Sequence, residues 1–359
     1  MRRCDVAIAG AGIAGATLAA ELAPHASVVL LEAEDVAGFH ATGRSAAFWS
    51  ETYGGPGVQP LTTASARALQ DGGFLQPLGS LHIGRAGDAP AVEEFLREFE
   101  GTAVELRPVD PTEFIPGLRA EWTLGVMEPS CAYIDVAALH ADALARARRS
   151  GAVITTNAGV ESAVRNAGSW LIETPAGPVA ASLLVNAAGA WADPVAARAG
   201  VRPLGVRSYR RTIAQLRTDP PAPSDQPLVA DIAGRFYFKP ETGGRLWLSP
   251  HDETPTGPCD AAPEELDVAI AIDRFENVVD WRVAAVERRW AGLRSFAPDR
   301  LPVLGFDGAE PAFFWCAGQG GFGIQTAPAA AALCAGLILA RAGPQGVDPD
   351  RYRPDRLST

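Results

Sequence analysis

The chain is 359 residues long, enough for a sizeable core in about two domains, and its 47% hydrophobic and 20% charged residues exclude a disordered or fibrous chain. A net charge of −11 excludes the basic face that a nucleic-acid partner needs. Five scattered cysteines without CxxC spacing exclude a disulfide framework and a thiolate metal site, and no run reaches the roughly 18 apolar residues of a transmembrane segment; a reduced, cytoplasmic setting is expected, at most peripheral to the inner face of a membrane.

Asp5 to Ala9 is an apolar run of the kind found in buried parallel strands, and it ends in Gly10-Ala11-Gly12-Ile13-Ala14-Gly15. Ile13 to Ala23 carries apolar residues at helical spacing without proline, and Ser27 to Glu32 is a second buried strand, so the opening reads as a βαβ unit. Gly10 allows the tight turn, Gly12 lets a pyrophosphate approach the backbone, and Gly15 lets the helix pack on the strand. The helix start offers unpaired N–H groups and a partial positive charge to a dianion. Glu32, at the tip of the second strand, is placed to accept both ribose hydroxyls and would repel a 2′-phosphate.

The polar loop that follows, His40-Ala41-Thr42-Gly43-Arg44-Ser45-Ala46-Ala47, reads as the entry to a helix of small residues that leaves room for a planar ligand. Arg44 and Ser45 are candidates for holding phosphate oxygens there, with a solvated loop as the alternative. From about Leu75 the pattern changes to an inserted second domain. Strand-like runs, Leu78 to Ile83 and Leu124 to Met127, surround a polar helix from Ala91 to Glu100 and proline-rich turns. Asp135 caps a helix, Val136 to Ser150, that ends at Gly151. Strands follow at Ala152 to Thr156, Gly159 to Arg165, Ser169 to Thr174 and Pro178 to Ser182. Leu183 to Trp191 reads as a further buried strand that delivers small residues to a helix start and returns the chain to the first domain.

Val206 to Gln215, Pro227 to Ile232, Arg235 to Pro240 and Gly244 to Leu248 are strand-like and Asp267 to Phe275 is helical, which rebuilds the second domain. Near Trp290 the chain re-enters the first, with a buried strand at Pro311 to Ala317, a glycine turn at Gly318 to Gly323, and a helix at Thr326 to Arg341 that carries Pro328 in its first turn. The expected fold is α/β. A discontinuous Rossmann-type domain takes residues 1–76, 135–205 and 289–359, and an α+β domain with a mixed sheet takes 77–134 and 206–288.

Gly318, Gly320 and Gly323 also satisfy GxGxxG, yet about eighteen mostly polar residues remain after the helix, too few for the second strand and acid of a dinucleotide unit. Such a turn can instead aim a helix N-terminus at the charge that a reduced flavin carries. One adenine-dinucleotide unit plus a distant glycine turn points to FAD rather than NAD.

Gly10 to Gly15, His40 to Ala47, Val185-Asn-Ala-Ala-Gly-Ala-Trp191, Gly200-Val-Arg-Pro-Leu-Gly205, Trp290-Ala-Gly-Leu-Arg-Ser-Phe296 and Gln319-Gly-Gly-Phe-Gly-Ile-Gln325 together resemble the D-amino-acid-oxidase-like FAD oxidoreductases. Within them the chain looks like D-arginine dehydrogenase and related bacterial D-amino acid dehydrogenases. The resemblance implies non-covalent FAD, with no cysteine near Arg294 to anchor it. It implies a small amino acid substrate that gives up a hydride to flavin N5, with the imino product hydrolysing to an oxo acid and ammonia. The electron acceptor stays open between oxygen, a quinone and a protein. Arg211 and Arg294 match the family's carboxylate-holding arginines, and Tyr53 and Tyr237 match tyrosines near the substrate. Along the nucleotide the implied contacts are Gly10, Gly12, Ile13, Ala14, Gly15, Glu32, Ala33 and Val160. Thr42, Gly43, Arg44, Ser45, Ala46 and Ala47 continue them. Ala187, Gly189, Trp191, Arg294, Gly320, Gly321, Phe322, Gly323, Ile324 and Gln325 complete them around the ring system.

Physical chemistry supports the arginines. Side chains alternate along a strand, so only one of Arg210 and Arg211 can enter a shared pocket, and a guanidinium grips a carboxylate through two parallel hydrogen bonds. Tyr237, between Phe236 and Phe238, reads equally as core, and His40, His82 and Cys316 receive no role. Leu81 stands where the arginine-using relatives place an acid, and Phe48 stands where they place a histidine. Leu228 and Ala230 extend these two into an apolar wall, with Gly321 and Gln325 completing the expected pocket, so a neutral, apolar or aromatic D-amino acid is the expected substrate. A 2-hydroxy acid or a secondary amine is the alternative within the superfamily, and a non-catalytic flavoprotein subunit the alternative outside it.

Overall fold

In the computed structural model, which describes residues 1–357, the opening unit is β1 (Arg2–Ala9), α1 (Ile13–Leu22) and β2 (Val28–Leu31). The last four residues of β1 and all of β2 are buried, as strands covered on both faces must be. A strap from Glu32 to Ala47 leads to β3 (Phe48–Trp49), α2 (Gln59–Asp71) and β4 (Leu75–Pro77). The helix of small residues expected in this strap is absent. A single 3-10 turn at Thr42–Arg44 gives way to extended backbone at Ser45, and Ala47 takes a left-handed φ of 57°. The chain is drawn out here because Phe48 and Trp49 pair with Tyr133 and Ala132.

Next come β5 (Ser80–Arg85), α3 (Ala89–Glu98), β6 (Arg107–Val109), β7 (Trp122–Glu128), β8 (Ala132–Ile134) and α4 (Val136–Arg149). Asp135 caps α4 by accepting from the Ala138 N–H at 2.9 Å. Then follow β9 (Val153–Thr155), β10 (Ser162–Asn166), β11 (Ser169–Glu173), β12 (Val179–Asn186) and α5 (Ala192–Arg198). The two strands expected between Pro178 and Trp191 are one, β12. Its first half pairs with β11 and its second with a strand at Phe313, while β1 holds its other edge throughout.

The remaining elements are β13 (Arg207–Asp219), β14 (Leu228–Asp231), β15 (Tyr237–Glu241), β16 (Arg245–Ser249), β17 (Thr254–Pro255), α6 (Glu265–Glu276), β18 (Arg282–Phe296), β19 (Val303–Phe306), β20 (Phe313–Ala317), β21 (Gln319–Gly320) and α7 (Gly323–Ile338). Helix α7 starts earlier than expected, so Pro328 falls in its second turn.

The first sheet runs β10-β11-β12-β1-β2-β9, with β20 beside the second half of β12 and β19 beside β20. Helices α1, α4 and α7 close one face around Leu18, Leu22, Ala143, Leu333 and Cys334. On the other face α5 and the β10–β11 hairpin pack around Trp170, Val195 and Trp315. The second sheet runs β21-β18-β13-β16-β15-β14-β5-β7-β6, with β17 added on β13. It is mixed, since β14 and β5 are parallel and their neighbours antiparallel. One of its faces is a core of Leu81, Trp122, Leu216, Phe236 and Phe238 under Val268 and Phe275 of α6; the other looks onto the first domain.

The boundary expected at residue 289 moves. β18 pairs with β13 from Arg282 to Phe296, with register shifts after Gln215 and after Arg217, so residues 289–296 belong to the second sheet. Glu287, Arg288 and Arg289 are exposed, which hides this half of the strand from a search for apolar runs. Among the described residues no helix is long and apolar enough to cross a membrane, and no group of three or more His, Cys, Asp or Glu could hold a metal ion.

Candidate active site

The glycine turn after β1 is closed by contact rather than by flexibility. Gly10 has a φ of 101°, and a Cβ there would lie 2.5 Å from the Ala187 carbonyl oxygen; a Cβ on Gly15 would run into the Gly10 carbonyl. Above the turn, Thr42 accepts from the Ile13 N–H at 2.9 Å, so the strap is tied to the start of α1. The Glu32 carboxylate accepts from the Ala11 N–H at 2.9 Å and from the Glu34 N–H at 3.1 Å, which fixes it at the rim with lone pairs to spare for a diol.

From this turn one continuous cleft passes Ala33 and Val160, the strap residues Thr42, Ser45, Ala46 and Ala47, then Ala187, Gly189 and Trp191, to Arg211, Arg294, Gly320, Gly321, Gly323 and Gln325. Its length and its small-residue lining fit FAD. Gly15, Gly43 and Phe322 stand behind the lining. Gly43 donates to the Gly38 carbonyl at 2.8 Å, and Phe322 packs edge-on to Tyr53 with ring centroids 5.0 Å apart.

Arg44, expected to hold phosphate oxygens, lines the cleft but also reaches the second domain. Its guanidinium donates to the Ala261 carbonyl at 2.8 Å and the Ala291 carbonyl at 3.3 Å, and pairs with Asp260 at 2.5 Å. These contacts use three of its five N–H groups. The Ser45 hydroxyl oxygen accepts from the Ala47 N–H at 3.0 Å, which leaves its own hydrogen to donate into the cleft.

At the far end of the cleft the second sheet contributes its inner face. Tyr209 is opposite Arg294 in register and Arg211 opposite Gly292, so Arg211 and Arg294 share a face; Arg210 points away, to Asp267 at 2.9 Å and to Glu264. Arg211 is 3% exposed. Its Nε donates to the Asp252 carbonyl at 2.6 Å and one Nη to Glu253 at 3.2 Å, but Nη1 has no partner. The Tyr237 hydroxyl is also buried; Arg294 lies beside its oxygen, and its own O–H has no acceptor. Burial and the charge of Arg294 pull Arg211 down to about 10. Burial works the same way on Arg294, but the phenols of Tyr53 and Tyr237 and the Asp252 carboxylate outweigh it and carry Arg294 upward. Both guanidiniums are charged at neutral pH. A Cβ on Gly321 would lie 2.6 Å from the Tyr53 hydroxyl and 3.1 Å from Arg294 Nε, so the absent side chain at 321 is the space in front of the arginine.

Phe48 stands between the tyrosines, with ring centroids 5.1 Å from Tyr53 and 5.7 Å from Tyr237. Behind it Leu228 and Ala230, on the inner face of β14, pack with Ile213 and Tyr237. Leu81 is not in this wall. It pairs with Val229 and is fully buried on the opposite face, and the inward positions of β5 are Ser80 and His82. A reading one residue out of register reverses the face of every side chain in a strand, and that is the error here.

The sequence reading missed two residues at the site. His40 hydrogen-bonds Glu34 at 2.7 Å, stacks on Trp191 with centroids 4.5 Å apart and lines the cleft; its place in the His40–Ala47 motif was the available signal. His251, at φ 56°, shares its Nδ1 with the Gly234 carbonyl at 2.6 Å and meets Tyr237 edge-on. Burial, then the charges of Arg211 and Arg294, pull it down to about 3, so it is neutral. No sequence signal marks it.

A model of the DAO family, described as FAD dependent oxidoreductase, matches residues 5–337. The chain is 27% identical to dimethylglycine dehydrogenase of Mus musculus over 98% of this chain and 44% of that protein, and it spans less than half the length of the dimethylglycine dehydrogenases it matches. It is 27% identical to glycine oxidase of Geobacillus kaustophilus over 94% of this chain and 93% of the relative. In fold it is similar to the crystal structure of that glycine oxidase, with a TM-score of 0.85 at 24% identity over 99% of both chains. It is also similar to L-proline dehydrogenase from P. horikoshii, with a TM-score of 0.87 at 20% identity over 99% of this chain and 98% of that one.

Proposed function

Since the chain belongs to the DAO family of FAD-dependent oxidoreductases and uses FAD as its cofactor, we propose that it oxidises a neutral amino acid at the carbon bearing the amine, with a D-amino acid of apolar side chain as the substrate. The observation that carries this reading is the pair of buried, unpartnered donors, Arg211 Nη1 and the Tyr237 hydroxyl, beside the charged Arg294. Buried donors left without partners point to a missing acceptor, and a carboxylate supplies four acceptor sites in the plane a guanidinium requires.

Bound FAD supplies the acceptor for the electron pair that leaves with the α-hydrogen. This chain's residues do the rest. Arg211 and Arg294 hold the carboxylate, which fixes the α-carbon beside the ring system and removes much of the entropic part of the barrier. Two guanidinium charges and a neutral His251 disfavour an ammonium in the site, so the amine is held in the unprotonated form that oxidation requires. Phe48, Ile213 and Leu228 face the side chain with no carboxylate to pair a cationic head, and desolvating such a head would cost several kcal/mol.

A second reading is glycine or an N-substituted glycine. It is favoured by the tight seat of Phe48 between Tyr53 and Tyr237 and by similarity to glycine oxidase and dimethylglycine dehydrogenase. Anaerobic mixing of the holoprotein with D- and L-amino acids, glycine, N-methylglycine and 2-hydroxy acids, followed by flavin bleaching, tests both. Fastest bleaching by apolar D-amino acids supports the first, and bleaching by glycines alone replaces it with the second. No bleaching by any amine would remove both.

A further inference from the structure

Glu128 has no part in the reading above, yet it is the most heavily engaged buried carboxylate beside the site. It is the last residue of β7, lies on the inner face opposite Ser80, and is 0% exposed. Its two oxygens accept from the Ser50 hydroxyl at 2.8 Å, the Glu51 N–H at 2.7 Å and the Thr52 hydroxyl at 2.6 Å. The Ser130 hydroxyl stands at 3.4 Å and His82 Nε2 at 3.9 Å. Burial pushes this carboxyl up, but the hydrogen bonds and His82 outweigh it and hold it below the usual range, so it is an anion. No arginine or lysine pairs with it among the described residues. An anion buried in this way costs several kcal/mol unless its acceptor sites are filled, and three consecutive residues of one segment fill them.

That segment ends in Tyr53. From the other side Gln325 holds the same residues, its amide donating to the Tyr53 carbonyl at 2.9 Å and to Thr62 at 2.8 Å, and its oxygen facing the Ser50 N–H at 3.4 Å. The Tyr53 ring is thereby wedged between Phe48 and Phe322, and the Arg294 guanidinium lies 5.8 Å from its centroid. A carboxylate only accepts, so it forces the Ser50 and Thr52 hydroxyls and the Glu51 N–H to point at it together and leaves the segment one geometry. We propose that Glu128 is a positioning residue that sets Tyr53 in front of Arg294 and so shapes the seat of the substrate carboxylate. This rests on the substrate pose proposed above and names the residue that holds that pose together.

The test is a double-mutant cycle on acetate binding, read from perturbation of the bound flavin's visible spectrum in the holoprotein. Glu128→Gln keeps the volume but turns one acceptor into a donor. Its acetate Kd should rise about tenfold in the wild-type background and less than about twofold in Tyr53→Phe, the non-additivity expected of groups acting as one unit. Flavin content should be unchanged, and Glu128→Asp should recover part of the loss. If Glu128→Gln does not fold, Thr52→Val removes one donor to the same oxygen and is expected to show the same loss of effect beside Tyr53→Phe. Equal effects of Glu128→Gln with and without Tyr53 overturn the proposal and leave the substrate pose standing. Absence of any acetate response in the wild-type protein overturns the pose itself, and the proposal with it.

Discussion

The two ends of the cleft are built by different means. At the nucleotide end most of the lining comes from one run of chain, Gly10 to Ala47, backed by Val160 and Ala187, and from what residues lack: Cβ atoms at Gly10 and Gly15, and bulk at Ala46 and Ala47. At the substrate end the contacts come from side chains on three separate strands, brought to one sheet face by register: Arg211 on β13, Tyr237 on β15, Arg294 on β18. The difference separates what can vary from what cannot. At Gly10 and Gly15 the first end is fixed by backbone packing that leaves no room for a Cβ, whereas the second is made of side chains on a sheet held by its own backbone ladder.

The largest break in that contrast is expected at Gly15. Gly15→Val drives a side chain into the Gly10 carbonyl, and the purified protein should carry no visible flavin absorption; a fully yellow variant would show that the turn is more yielding than its packing implies. Next is Leu81→Glu. Because Leu81 lies in the core under α6, an unpaired carboxylate there should cost on the order of several kcal/mol in denaturant unfolding, without improving turnover of D-arginine or D-lysine. A normal unfolding midpoint with new activity on cationic substrates would put residue 81 back in the pocket.

Arg211 and its neighbour sharpen the comparison within a single strand. Arg211→Ala should lower kcat/KM by about 100-fold, equivalent to the roughly 2–3 kcal/mol of a charge-assisted contact, with FAD retained. Arg210→Ala, on the opposite face with Glu264 and Asp267, should change kcat/KM by less than about threefold and act on stability instead. Near neutrality the smallest effect is that of pH. His251 is depressed from 6.5 to about 3 in the folded state, so below 6.5 the unfolded chain takes up a proton that the folded one refuses. Stability is therefore full above 6.5 and falls by up to about 1.4 kcal/mol per pH unit toward 3, and His251→Gln should flatten that acid limb in thermal unfolding.

Legibility in the sequence follows the same divide. The glycine turn, Glu32, the Asp135 cap and the hairpin between Asn166 and Ser169 were readable because each is a local pattern with a local cause. Three features were not, because a distant partner decides them. The strap at Ser45 is extended by pairing at Tyr133; β12 is continuous because β1 holds it; β18 runs through charged residues because β13 does. Leu81 was placed on the wrong face for the same reason, since its orientation is set by Val229. Glu128 gives no warning at all, as its partners lie 76 to 78 positions earlier in the chain.

β1 lies between β2, which follows it at once, and β12, whose residues Val179 to Asn186 are made only after half of the chain. During synthesis the first strand therefore presents an open edge until β12 emerges, after the first segment of the second domain and the elements α4 to β11. Closing that edge means drawing together residues separated by most of the chain's first half, an entropic cost that slows the step. The dinucleotide turn, which packs against Ala187, gains its far wall in the same event, so cofactor capture and closure of the sheet are one step in folding and refolding should quicken and complete when FAD is present.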